Sequence, residues 1–151
     1  MDISAKADYA VRAALVLAAH EPNLVKAEAI VSEQPMPRKY VESILSELRR
    51  AGLVRTHRGI AGGHMLARPA NEITLGSVIR AVDGPLTEIH GLRPHEQTYE
   101  GVAVHLSEVW IAMRSSLRRV LDETTLRQVI DGRFRPHVRR MTETADAWLP
   151  R

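Results

Sequence analysis

Apolar positions first recur in a dense block from Ser4 to His20, where Tyr9, Val11, Ala13, Ala14, Leu15, Leu17 and Ala18 leave little polar surface. Such a pattern predicts a helix buried on most sides. Glu21-Pro22-Asn23 ends it, and a short helix follows from Lys26 to Gln34 with Ala29 and Ile30 inward. Pro35-Met36-Pro37 breaks that helix and opens a third, with Pro37 expected at the first helical position, where its missing N–H is not needed. Val41, Ile44, Leu45 and Leu48 form the stripe of this third helix, and Gly52 caps it just past Ala51.

After Gly52 the period changes from helical to extended. Residues 53–57 and 64–67 read as two strands joined by the glycine-rich turn Arg58-Gly59-Ile60-Ala61-Gly62-Gly63, a β-hairpin ended by Pro69. Thr74 is placed to cap a short helix through Val82, stopped by Gly84-Pro85. Residues 85–101 are polar and aperiodic. A connection of that length inside a small domain is commonly functional. The longest helical pattern runs from Val102 to Leu121, with Leu106, Val109, Met113, Leu117 and Val120 at three- and four-residue steps and Trp110 widening the stripe. A short helix over 125–130 and a basic amphipathic tail over 136–148 complete the chain.

Three short helices and a glycine-turned hairpin make a winged helix-turn-helix: mainly α with one small hairpin, extended by a long helix. The expected division is 1–84 for the DNA-binding domain, 85–101 for a loop and 102–151 for a dimerisation helix with its tail. A helix fits the major groove and reads base edges with its first residues. Here those are Pro37, Arg38, Lys39, Tyr40 and Glu42, and a helix N-terminus also attracts phosphate. At the hairpin tip Arg58 stands among Gly59, Gly62 and Gly63, next to His64, a combination suited to close approach to the duplex.

Charge supports the assignment. Residues 49–68 hold Arg49, Arg50, Arg55, Arg58 and Arg68 and no acid, within a chain of net charge +3. A block of one sign attracts a polyanion whatever the net charge. The phosphate-loop alternative for the glycines needs a Gly-Lys-Ser/Thr ending that is not there. Cysteine is absent from the sequence, which removes disulfides, thiolate zinc sites and cysteine-ligated iron–sulfur clusters from consideration. No nucleophile elbow and no facing carboxylate pair stand out, so no catalytic residue, metal site or cofactor is expected.

Four segments resemble the Rrf2 family: residues 8–13 (Asp8 to Ala13), 40–54 (Tyr40 to Val54), 58–69 (Arg58 to Pro69) and 73–85 (Ile73 to Pro85). The resemblance covers roughly residues 1–121. It implies a dimeric winged-helix transcription factor whose long helix forms the dimer interface and whose operator is a near-palindrome. Many members hold an iron–sulfur cluster with three cysteines before the long helix. The corresponding positions fall near Leu92, Thr98 and Val104 here, and none can ligate a cluster. Asp8 lies where some members supply a non-cysteine ligand, and is read instead as capping or pairing near the start of the first helix. Lys26 and Pro37 replace the polar residue before the second helix and the serine opening the recognition helix.

The resulting expectation is a cytoplasmic homodimer binding double-stranded DNA, acting as a repressor and not sensing through a cluster, with no membrane contact. The start of the chain has no signal peptide pattern. Leu106, Val109, Trp110, Met113 and Leu117 are expected between two chains, with Trp110 in the dimer core rather than acting as a stacking platform. An effector, a small molecule or a protein partner, would act near residues 85–101. His90, His95 and His105 flank that segment without metal-site spacing and are read as surface or capping residues. The alternative is a protein-binding adaptor, or a metal or small-molecule sensor, on the same fold with weak DNA affinity.

Overall fold

The structure, a computed structural model, describes residues 2–150. Its helices are α1 (Ala5–Ala19), α2 (Ala27–Glu33), α3 (Arg38–Arg50), α4 (Leu75–Asp83), α5 (Leu106–Leu121), α6 (Leu126–Asp131) and α7 (Pro136–Glu143), and its one sheet is the hairpin β1 (Val54–His57) and β2 (Gly63–Leu66). Among the described residues no helix is long and apolar enough to cross a membrane.

Helix α1 is the centre of the core. Its buried face is built from Ala7, Ala10, Ala13, Ala14, Leu17 and Ala18, and short side chains let α3 and α4 pack close against it. Ser4 caps α1 by accepting from the Ala7 N–H at 2.9 Å and donates its hydroxyl to Asp83 Oδ2 at 2.6 Å, which ties the start of α1 to the end of α4. The expected stripe of α3 is buried in full: Val41, Ile44, Leu45 and Leu48 face the core. Pro37 is the N-cap and not the first helical residue, one position earlier in the helix than expected. Neither Lys26 before α2 nor Pro37 before α3 supplies a side-chain cap.

The hairpin pairs Val54 with Leu66 and His57 with Gly63 in antiparallel register. The residue before α2 joins it: Val25 and His64 exchange two backbone hydrogen bonds at 2.8 Å, so the hairpin is stitched to the helical body. Thr74 caps α4 as expected, accepting from the Ser77 N–H, and Gly84 ends it with φ of 80°. Inside α4, Gly76 is buried, and a Cβ there would overlap Asp122 Oδ1 at the end of α5.

Two features depart from the sequence reading. The long helix begins at Leu106, and Val102 lies in a separate 3-10 turn at Gly101–Ala103. At 16 residues α5 is about 24 Å long, where the 20 residues from Val102 to Leu121 would have spanned about 30 Å. Gly101, with φ of 59°, sets the turn that breaks the helical phase. The second departure is α6, grouped by sequence with the tail. Its Leu126 is fully buried in the main core, and Leu126 N–H bonds Ile73 O at 2.9 Å while Arg127 pairs with Glu21 at 3.1 Å. The chain thus leaves the winged helix, runs along α5, and returns to it.

Candidate nucleic-acid interface

All of α3 outside its buried stripe is available to a partner at its N-terminal end. Arg38, Lys39, Tyr40 and Glu42 are exposed, as are Arg49 and Arg50 in the last turn. The first turn carries no acid, so nothing on the helix itself neutralises its positive end. Tyr40 stacks tilted against Tyr9 of α1 at 5.8 Å between centroids, and Lys39 lies over the Tyr40 ring at 5.4 Å. Arg12 lies over the other tyrosine at 5.0 Å and is held by Asp8 at 3.0 Å. Asp8 therefore pairs near the start of α1, as the sequence suggested. Arg38 is tied to Glu28 of α2 at 2.6 Å in an ion pair whose partners are 64% and 61% exposed.

At the hairpin tip Arg58, Gly59, Ile60 and Ala61 are exposed. The glycines answer internal demands first. Gly59 adopts φ of 108°, a conformation open to glycine. A Cβ on Gly62 would overlap the His57 carbonyl oxygen, and one on Gly63 would stand 2.9 Å from Val25 O. His64 is half-buried, with Nδ1 3.0 Å from Thr56 Oγ1. Burial holds its pKa below the ordinary imidazole value, the Arg49 charge adds to that, and the Glu28 carboxylate opposes it. The structure thus sets His64 inside the hairpin's attachment, while Arg58 stands free at the tip.

Two features at this face were not singled out as site residues by sequence. Arg55, on the exposed side of β1, adds a further exposed arginine to the hairpin. Ile60 is 96% exposed at the tip itself. A large apolar residue in a glycine-rich turn, next to Gly59, was the available signal. None of Arg49, Arg50, Arg55, Arg58 and Arg68 forms an ion pair among the described residues.

The segment after α4 is ordered into short devices. Ile89 and Leu92 exchange two backbone hydrogen bonds around His90 and Gly91, both at positive φ, and Pro94–Glu96 form a 3-10 turn. The three histidines have separate tasks. His90 makes that turn, His95 Nδ1 accepts from Arg114 at 2.9 Å, and His105 lies 3.0 Å from Glu108. Along α5 no residue is buried: Val109 is 56% exposed, and Leu106, Trp110, Met113 and Leu117 are partly covered. The Trp110 indole donates to the Tyr99 hydroxyl at 3.1 Å.

The model of the Rrf2 family, described as an iron-dependent transcriptional regulator, matches residues 3–132. A Mycobacterium tuberculosis H37Rv protein, Rv1287, named among the HTH-type transcriptional regulators, is 42% identical over 144 residues, covering 95% of this chain and 89% of its own. The solved structure of CymR, the global cysteine regulator of B. subtilis, superposes with a TM-score of 0.74 at 30% identity, covering 87% of this chain and 98% of that one. The IscR structure from T. potens matches with a TM-score of 0.71 at 27% identity, over 100% of this chain and 93% of that one. An iron–sulfur cluster does not fit the residues present. Leu92 and Val104 have no donor atoms, Thr98 offers only a hydroxyl, and no thiolate exists anywhere in the sequence. Among the described residues no three His, Cys, Asp or Glu side chains gather in a way that could hold a metal ion. The hairpin stitched to three helices, the exposed arginines around it and these matches agree on one assignment: the chain belongs to the Rrf2 family of winged helix-turn-helix, DNA-binding transcriptional regulators.

Proposed function

We propose that the protein is a cytoplasmic repressor that binds a near-palindromic operator as a homodimer, with no catalytic role. The observation that carries this reading is the set of five exposed arginines at positions 49, 50, 55, 58 and 68, on α3 and around the hairpin, none of them ion-paired among the described residues. Unpaired arginines clustered on one element pair repel each other, and a phosphate backbone relieves that repulsion while releasing counterions. The residues assigned to DNA are Pro37, Arg38, Lys39, Tyr40, Glu42, Arg49, Arg50, Arg58, Gly59, Gly62, Gly63 and His64, the last three chiefly by holding the hairpin in place. The open face of α5, with Val109 more than half exposed, is assigned to a second copy of the chain, so that Leu106, Val109, Trp110, Met113 and Leu117 meet their counterparts. With no thiolate available, regulation falls to an effector other than a cysteine-ligated cluster.

Titrating a duplex with the protein over a range of salt tests the DNA reading. Affinity should fall steeply with salt, and Arg58→Ala should lower the slope of log K against log salt by about one unit. An unchanged slope and affinity would remove Arg58 from the interface. Light scattering tests assembly: a mass near 16.9 kDa would exclude the dimer. Met113→Arg, which puts a charge into the apolar seam, should yield monomer and weaken operator binding. A folded, dimeric Met113→Arg would place the interface elsewhere.

A further inference from the structure

A cavity of about 330 Å³ opens where the end of α4, the segment after it and α5 meet, and four of its eight lining residues are arginines: Arg80, Arg93, Arg114 and Arg118. The remaining wall is Gly84, Pro85, Leu86 and Thr87. Among the described residues Asp122 is the one carboxylate ion-paired with these arginines, at 2.7 Å from Arg80 and 3.8 Å from Arg118. Arg93 and Arg114 have no carboxylate within ion-pair distance among the described residues. Arg114 instead donates to His95 Nδ1, which fixes the guanidinium in place without neutralising it. A second observation is independent of the charge. Thr87, 7% exposed, lines the same cavity, and its buried hydroxyl has no hydrogen-bond partner. A buried unsatisfied hydroxyl costs stability unless something fills its valence.

We infer that this cavity binds a small polyanion, a phosphate ester or a polycarboxylate, held by Arg93 and Arg114 with help from Arg80, Arg118 and, once its side chain turns toward the cavity, the Thr87 hydroxyl. Guanidinium groups converging on a confined space suit an anion of two or more charges, which each fork can grip through two parallel hydrogen bonds. The wall is drawn from three parts of the chain, so the anion bridges α4, on the DNA-binding unit, to α5. No lining residue comes from α3 or the hairpin. A small ligand is therefore favoured over the DNA backbone. The inference rests on the proposed function only for its use, as an effector site. The binding itself is read without DNA, so the two fail separately.

The full chain is titrated calorimetrically with pyrophosphate and with citrate, against acetate at matched ionic strength. Saturable binding of pyrophosphate, citrate or both at one site per chain is expected, the pair of arms separating phosphate from carboxylate recognition. Arg93→Gln and Arg114→Gln, each checked for an unchanged melting profile, should each weaken that binding about tenfold, the worth of one charge-assisted contact. Arg55→Gln, on the hairpin, should leave it unchanged. Absence of binding beyond the acetate control, or full binding by both cavity variants, would overturn the inference. So would a loss of DNA affinity and salt slope in those variants without added anion, because the arginines would then be serving the DNA backbone.

Discussion

The ion pair between Arg38 and Glu28 sets up a competition that can be measured. Arg38 is the first helical residue of α3, where a side chain can reach a base edge, and in the free chain its guanidinium is bonded to Glu28 Oε1 at 2.6 Å. Bidentate contact with guanine needs the same donors, so binding must break the pair. The cost is small because both partners are more than 60% exposed: solvent-exposed pairs contribute about 0.2–1 kcal/mol. Glu28→Gln removes the charge and keeps the shape. Release of Arg38 should then raise affinity up to about fivefold, since 1.4 kcal/mol is tenfold. Removing one negative charge within about a Debye length of the phosphates adds to this at low salt. The expected gain is therefore about two- to tenfold, shrinking as salt rises. Anisotropy titrations on a duplex selected with the wild-type protein, at two salt concentrations, measure it. In an Arg38→Ala background the release component should vanish and only the salt-dependent part remain. A weaker complex with Glu28→Gln would refute the competition and make Glu28 a support that aims Arg38. An equal gain in both backgrounds would show that Arg38 does not reach the duplex.

Two further outcomes follow from the packing. Leu126→Ala should cost about 2–5 kcal/mol in urea unfolding, as for other fully buried leucines, while Ile130→Ala on the same helix, 38% exposed, should cost less than about 1 kcal/mol; equal small effects would detach α6 from the core. The depressed pKa of His64 means that the unfolded chain binds a proton the folded chain resists, so its contribution to stability is complete above the ordinary imidazole value and is lost as pH falls through and below about 6.5. Melting temperatures across that range should fall more steeply for the wild type than for His64→Gln, and parallel curves would show that another group titrates.

The elements written in local pattern were legible. The α3 stripe follows from a 3.6-residue period, and α4 from Thr74 at one end and Gly84 at the other, signals that act within a few residues. What sequence could not show depends on distant partners. Leu126 looks like any leucine in a short helix until its N–H finds Ile73 O, more than fifty residues away. The turn at His90 and Gly91 was hidden because only a few per cent of non-glycine residues take positive φ, and Val102 extended the α5 stripe in phase although the backbone turns at Gly101. At the hairpin the glycines were visible and their first reason was not. Gly62 and Gly63 looked like room for DNA, but the close neighbours are the chain's own His57 and Val25 carbonyls. The exposed residues Arg58 and Ile60 are what the tip offers outward.

The joint between α4 and α5 explains how such a small reading head can be oriented. Helix α4 packs against α1 and α3, and α3 carries the residues proposed to read DNA. Asp122, the C-cap of α5, reaches α4 at Gly76, where only a hydrogen leaves it room, and forms an ion pair with Arg80 one turn further on. Immediately beyond it, Thr124 O accepts from Leu75 N–H at 2.9 Å, and Leu126 enters the core. One end of α5 is therefore pinned to the back of the DNA-binding unit by an ion pair, a close helix approach and a main-chain bond, while the face along its length is left open. If two copies meet along that face, the spacing and tilt of the two α3 helices are set at this joint. Arg80 also lines the arginine cavity, so an anion held there would draw on the same guanidinium that holds Asp122. A change at the cavity and a change in the angle between the reading heads would then share one side chain, without any need for a cluster in the intervening segment.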